Sequence, residues 1–155
     1  MSFFTGLNKT PVRKLFSFAG IIFLLSCSGL RRSNPDQHIY RVNDNWVAVR
    51  IGEKDLSGGI EGDPASLPQL EIKVGEMKYN GSDGCNNYMG GLIELDEKII
   101  RFGIAAGTRM MCHEMEIPDL FNRTLPEVWS WAIKKKQLHL FDKQGSELMQ
   151  LKKVD

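Results

Sequence analysis

Several residue types and patterns are scarce in this chain of 155 residues, and each shortage closes off a class of function. Histidine occurs three times, as His38, His113 and His139, so any nucleophile–base pair has only those imidazoles to draw on. Cysteine also occurs three times, at Cys27, Cys85 and Cys112, and no C-x-x-C or H-x-x-x-H spacing marks a structural zinc site. Neither sign of charge dominates: 20 basic against 19 acidic residues give a formal +1. The basic residues are scattered apart from Lys134-Lys135-Lys136, which reads as a solvated turn, so the charge pattern does not point to nucleic acid. There is no phosphate-loop signature, internal repeat or low-complexity segment. What remains, 42% hydrophobic and 25% charged residues, is ordinary globular composition and suits one domain.

No apolar run reaches the roughly 20 residues that a spanning helix needs. The uncharged stretch from Leu15 to Leu25 instead follows Lys9, Arg13 and Lys14 and precedes Ser26-Cys27, the order of regions in an export signal. Ile21-Ile22-Phe23-Leu24-Leu25 is apolar all round, unlike the one-sided stripe of a buried surface helix. Leu24-Leu25-Ser26-Cys27 resembles the bacterial lipobox, in which the cysteine sulfur receives diacylglycerol and becomes the new N-terminus. The resemblance implies a signal peptide over 1–26, lipid on Cys27, a polar tether over 27–38 and a folded domain over 39–155. Two or more acyl chains are enough for stable anchoring without a spanning helix. Ser28, where an aspartate would favour the inner membrane, is similar to the pattern that sorts lipoproteins to the outer membrane. The signal would remove three basic residues and no acids, leaving a mature net charge of about −2.

With Cys27 assigned to lipid, Cys85 and Cys112 form an even pair suited to an oxidising compartment. Two readings stay open: a disulfide, which would contribute roughly 3 kcal/mol by closing its loop, or two buried free thiols.

Strand patterning dominates the domain. Ile39 to Val42 leads into a first strand at Asn45–Ile51, closed by Gly52, with Trp46 in the core. Glu53 to Pro68 carries too many glycines and prolines for a regular element and reads as a long loop. Alternation then predicts strands at Leu70 to Val74 and Met77 to Gly81, and a hairpin of Tyr88 to Leu95 and Ile99 to Ile104. Pro118 to Leu125 is the one helix: Pro118 suits the first turn, Glu114, Glu116 and Asp119 lie near its positive end, and Pro126 ends it. Trp129 to Ile133, Leu138 to Phe141 and Glu147 to Leu151 complete a meandering antiparallel sheet.

Gly84-Cys85-Asn86, Gly90-Gly91 and Thr108-Arg109-Met110-Met111-Cys112, followed by the helix and closing hairpin, resemble the META domain family of HslJ-like bacterial envelope proteins. The resemblance spans about Trp46 to Leu151; the long loop before Pro68 departs from it. It implies an α+β fold, a strongly curved, mainly antiparallel and barrel-like sheet with one packed helix, similar to the lipoprotein pilotins that assist secretins. It implies no common activity. The residues have a conformational reading of their own: Gly84 permits a bend, Asn86 holds a turn through its amide, and Gly90-Gly91 allow a bulge or close approach. Thr108 and Met110 belong to the same structural motif.

The chemistry left to such a chain is limited. Cys112 and His113, as neighbours on a strand, would point to opposite faces, and His139 alternates away from Leu138 and Leu140. His38 falls in the tether, and Glu114 with Glu116 reads as solvated charge beside a helix start. No catalytic residue, cofactor or metal is expected. The expectation is an outer-membrane-anchored, non-catalytic interaction or chaperone-like module whose partners are the membrane, through Cys27, and an envelope protein. The alternative is a carrier enclosing an acyl chain between sheet and helix with Trp129, Trp131, Phe121, Met110 and Met111.

Overall fold

The computed structural model describes residues 38–58 and 66–154. The expected signal peptide, Cys27 and the tether up to residue 37 lie outside them. Among the described residues, nine antiparallel strands form one curled sheet: β1 (Asn45–Ile51), β2 (Lys54–Asp55), β3 (Gln69–Lys73), β4 (Lys78–Ser82), β5 (Asn87–Leu95), β6 (Ile100–Gly107), β7 (Ser130–Lys134), β8 (Gln137–Phe141) and β9 (Glu147–Lys153). The order is β6-β5-β4-β3-β1-β9-β8-β7, with β2 paired to β1. The sheet curls until its two ends touch at one corner, where Ile99 bridges Ser130 and the Trp131 amide donates to the Lys98 carbonyl at 2.9 Å. The result is a half-barrel, as the curved-sheet reading required.

Alternation builds the interior. Leu70 and Ile72 of β3, Tyr79 of β4, Tyr88 and Leu92 of β5, and Ile100 and Phe102 of β6 all point inward and are buried. The α-helix α1 (Glu116–Thr124) turns Ile117, Pro118 and Phe121 into this core, and the Phe121 ring lies 5.5 Å from that of Tyr88. Pro118 sits in its first turn, the Glu114 carboxylate accepts the Glu116 amide at 2.9 Å, and a 3-10 turn at Leu125–Glu127 holds Pro126.

Local departures from expectation have tertiary causes. Tyr40–Val42 is a 3-10 turn rather than an extended lead-in, because Val42 is buried and its carbonyl accepts the Trp46 indole N–H at 3.0 Å. Within the long loop, Lys54–Asp55 doubles back on the end of β1, and Leu56 and Leu67 are buried as anchors. β6 stops at Gly107, so Cys112 and His113 are not on a strand at all. His139 does alternate to the face opposite Leu138 and Leu140, yet it is buried there, with Nδ1 2.8 Å from Glu147 and its ring stacked on Phe141. His38 is not free of the domain, since its ring lies 5.3 Å from that of Trp131.

Candidate functional site: a disulfide clasp beside an open sheet edge

Cys85 and Cys112 form a disulfide, with their α-carbons 6.0 Å apart. Of the two readings left open, the staple is the one found, and neither sulfur is left as a thiolate. It joins the β4–β5 turn to the segment after β6, but most of the polar work there belongs to side chains. Asn86, only 8% exposed, accepts from the Met110 amide (2.6 Å) and the Thr108 hydroxyl (2.9 Å), and its amide donates to the Met110 carbonyl (3.2 Å). Asn86 therefore ties two distant segments, whereas the local turn is held by Asp83. One Asp83 carboxylate oxygen accepts the amides of Cys85 (2.8 Å) and Asn86 (2.6 Å), and the other accepts the Asn122 side-chain amide of α1 (2.7 Å).

Asp83 and Asn122 are functional residues of the clasp that the sequence motifs do not include. The spacing Asp83-x-Cys85-Asn86 has the signature of an Asx turn, but nothing local indicates that a residue 39 positions away completes it. Met110 contributes its backbone, while its side chain is exposed.

Gly84 has φ of +101°, and a β-carbon there would stand 2.4 Å from the Ser66 carbonyl oxygen, which explains the glycine. Gly90 faces the Tyr79 ring at 2.5 Å from where a β-carbon would sit; the phenol reaches past it to donate to the Gly103 carbonyl at 2.6 Å. Tyr88 likewise donates to the Gln69 carbonyl at 2.6 Å. Burial raises the pKa of both phenols above the ordinary tyrosine value, and for Tyr88 the neighbouring Tyr79 and Asp83 add to the rise.

Next to the clasp, the β5–β6 hairpin carries two bulges that compensate each other. The register passes from Gly90↔Ala105 to Leu92↔Phe102 and then to Glu94↔Arg101, so β6 gains one residue around Ile104 and β5 gains one at Ile93. Gly91 lies within the first bulge, as the glycine pair had suggested. Bulges re-aim side chains, and these leave Ile93 60% and Ile104 99% exposed. β6 is also the last strand of the sheet. The Thr108 amide donates to the Asn87 carbonyl (3.0 Å), which sets the ladder's phase and turns the backbone groups of Ala105 and Gly107 away from β5. Gly103-Ile104-Ala105-Ala106-Gly107 has no charge or proline to blunt it as an edge.

The residues proposed to enclose an apolar ligand are not brought together. Phe121 and Trp131 are packed core, Trp129 is half-buried beside β7, and Met110 and Met111 are exposed by the clasp. An open groove of about 800 Å³ does exist, but it lies along β3, β4 and β5, with Gln69, Glu71, Asn80, Asn87 and Met89 among its lining.

The META domain family model matches residues 40–155, most of the chain and all of the described sheet. This chain belongs to the META domain family. An NMR structure of a protein from Burkholderia xenovorans is similar to this META domain at TM-score 0.58 and 23% identity, covering 78% of this chain and 88% of that one. A second NMR structure is similar at TM-score 0.56 and 22% identity, covering 79% and 96%. A crystal structure of a DUF4847 family protein from Bacteroides vulgatus lies further off, at TM-score 0.49 and 12% identity, covering 74% and 96%. At these identities the likeness concerns the fold alone. No curated protein matches the chain at a significant level.

Proposed function

We propose that this META domain is a lipid-anchored, non-catalytic interaction module of the bacterial cell envelope, held to the outer membrane through Cys27. The observation that carries the interaction is Ile104: a β-branched apolar side chain, fully exposed at a bulge, on an edge stretch that carries neither charge nor proline. Such an edge suits an extended segment of an envelope protein added as a further strand, whose backbone would pair with Ala105 and Gly107. The lipobox-like Leu24-Leu25-Ser26-Cys27 supports the anchor. The Cys85–Cys112 disulfide supports an oxidising compartment. His139, paired with Glu147, which also takes Arg50, serves as packing rather than as a base.

In-cell cross-linking from a photoreactive residue at position 106 tests the interaction. A specific protein adduct that is lost in Ile104→Lys supports the reading; adducts unchanged by that substitution, or none, overturn it. Cys27→Ala tests the anchor separately: the variant should take up no labelled lipid and stay uncleaved by lipoprotein signal peptidase, and normal lipid labelling would refute the assignment. Native mass spectrometry of the purified protein with a co-purifying lipid inside the domain would favour the carrier instead.

A further inference from the structure

Basic residues that are dispersed in the sequence are gathered by the fold at the corner where β6 meets β7. The Arg101 guanidinium lies 4.6 Å and the Lys143 ammonium 4.9 Å from the centre of the Trp129 ring, and the Lys134 ammonium lies 5.2 Å from that of Phe141. Lys98 lines the same shallow depression as Trp129, Phe141, Lys134 and Lys143. Lys135 and Lys136 follow Lys134 at the tip of the β7–β8 hairpin. Among the described residues, Lys98, Lys134, Lys135, Lys136 and Lys143 have no carboxylate partner. The acids nearby offset them only in part, the Asp96 carboxylate feeling the charge of Lys98. Glu94 is engaged with Arg101 at 3.7 Å, Asp96 and Asp142 each spend an oxygen on backbone amides of their own turns, and Glu97 stands exposed without such a partner. In a mature chain expected to carry about −2, this corner is a local reversal of charge.

Two further observations bear on what covers it. Lys135 and Lys136 have φ of +50° and +65°, the left-handed conformations of a two-residue hairpin turn in which Asn-Gly is the favoured pair. The turn keeps two cations at a conformational cost, which points to a use for them. The first described residues of the domain also reach β7, with His38 against Trp131. On the lipobox reading the lipid is on Cys27, and the eleven residues from there to His38 can reach at most about 40 Å.

We propose that this corner is the domain's membrane-facing side. Lys98, Lys134, Lys135, Lys136 and Lys143 engage the phosphates of anionic phospholipid headgroups, while Trp129 and Phe141 settle at the interface. Half-buried aromatic rings flanked by long cationic side chains suit that layer, where one end of each group is apolar and the other wet. The inference rests on the Cys27 anchor, which holds the corner near a bilayer. It leaves the β6 edge free for a protein partner.

The test uses the lipidated full-length protein, purified from cell membranes and reconstituted into vesicles carrying bromine-labelled acyl chains as quenchers. One set is phosphatidylethanolamine with phosphatidylglycerol; the other replaces the phosphatidylglycerol with phosphatidylcholine. Trp46 and Trp131 are buried, so Trp129 is the indole open to quenching, and Trp129→Phe assigns its signal. Quenching of Trp129 should be strong on the anionic vesicles and fall about threefold or more on the neutral ones. It should fall likewise in Lys134→Glu/Lys143→Glu. Lys135→Asn/Lys136→Gly, which suits the turn and so guards against simple misfolding, should also weaken it. Protein that floats with both vesicle types while Trp129 is unquenched, or is quenched equally, overturns the membrane-facing side and leaves the anchor intact. Failure of the Cys27-bearing protein to float at all overturns the anchor, a separate result read before any fluorescence.

Discussion

Removing the disulfide and the Asn86 amide, singly and together, tests how the clasp is built. Cys85 and Cys112 are 27 positions apart, and a loop of that size corresponds to about 3.5 kcal/mol of lost chain entropy in the unfolded state. Asn86→Ala acts on the folded state instead. It removes three hydrogen bonds, each worth roughly 0.5–1.5 kcal/mol net, and water at the exposed Met110 recovers part of the loss, so the cost should be about 2–3 kcal/mol. Although Cys85 and Asn86 are neighbours that both touch the Met110 carbonyl, one perturbation works through the unfolded chain and the other through native contacts, so the two should add to within about 0.5 kcal/mol. The assay is urea unfolding of wild type, Cys85→Ala/Cys112→Ala, Asn86→Ala and the combined variant, with sucrose present throughout to keep the weakest folded. A combined loss more than about 1 kcal/mol smaller than the sum would refute the reasoning. It would mean that the disulfide holds Asn86 in place, and that the amide contributes nothing once the cysteines are parted.

Gly90→Ala should destabilise the domain by about 2–3 kcal/mol, because the new methyl group meets the fully packed Tyr79 ring; thermal unfolding reads the loss. Lys135→Asn/Lys136→Gly should raise stability by about 1–2 kcal/mol through relief of two left-handed lysines, and an unchanged or lower melting temperature would argue against strain there. Backbone amides hold the Asp142 carboxylate below its ordinary value of 3.8, led by that of Ser146, and do the same for Asp96, led by that of Ile99. A lowered folded-state value means stability present above about pH 4 and lost as pH falls through the lowered values. Acid unfolding should therefore set in below 3.8 and lose part of its pH dependence in Asp96→Asn and Asp142→Asn.

Much of the architecture was legible in the chain. Period-two patterning located the strands that became β1, β3, β4 and β5, Pro118 and the nearby acids located α1, and the motifs around Cys85 and Cys112 named the family. These signals are local: they depend on which side of a strand or helix each residue faces, and the chain states that directly. What depended on contacts across the sheet was not legible. Asp83 looks like any turn aspartate until Asn122 of α1 reaches it. The exposure of Ile93 and Ile104 follows only from the compensating bulges that turn them to solvent. His38 and His139, set aside as tether and outer-face residues, are packed against Trp131 and Phe141. Lys98, Arg101, Lys134 and Lys143 are scattered in sequence and meet only because the curled sheet closes one corner at Ile99 and Ser130. Amino-acid order alone thus determined the elements, the family and the expected anchor, since each is written in short-range spacing. Tertiary structure decided which edge stays open and which charges stand together, because both follow from how far the sheet twists before its ends touch.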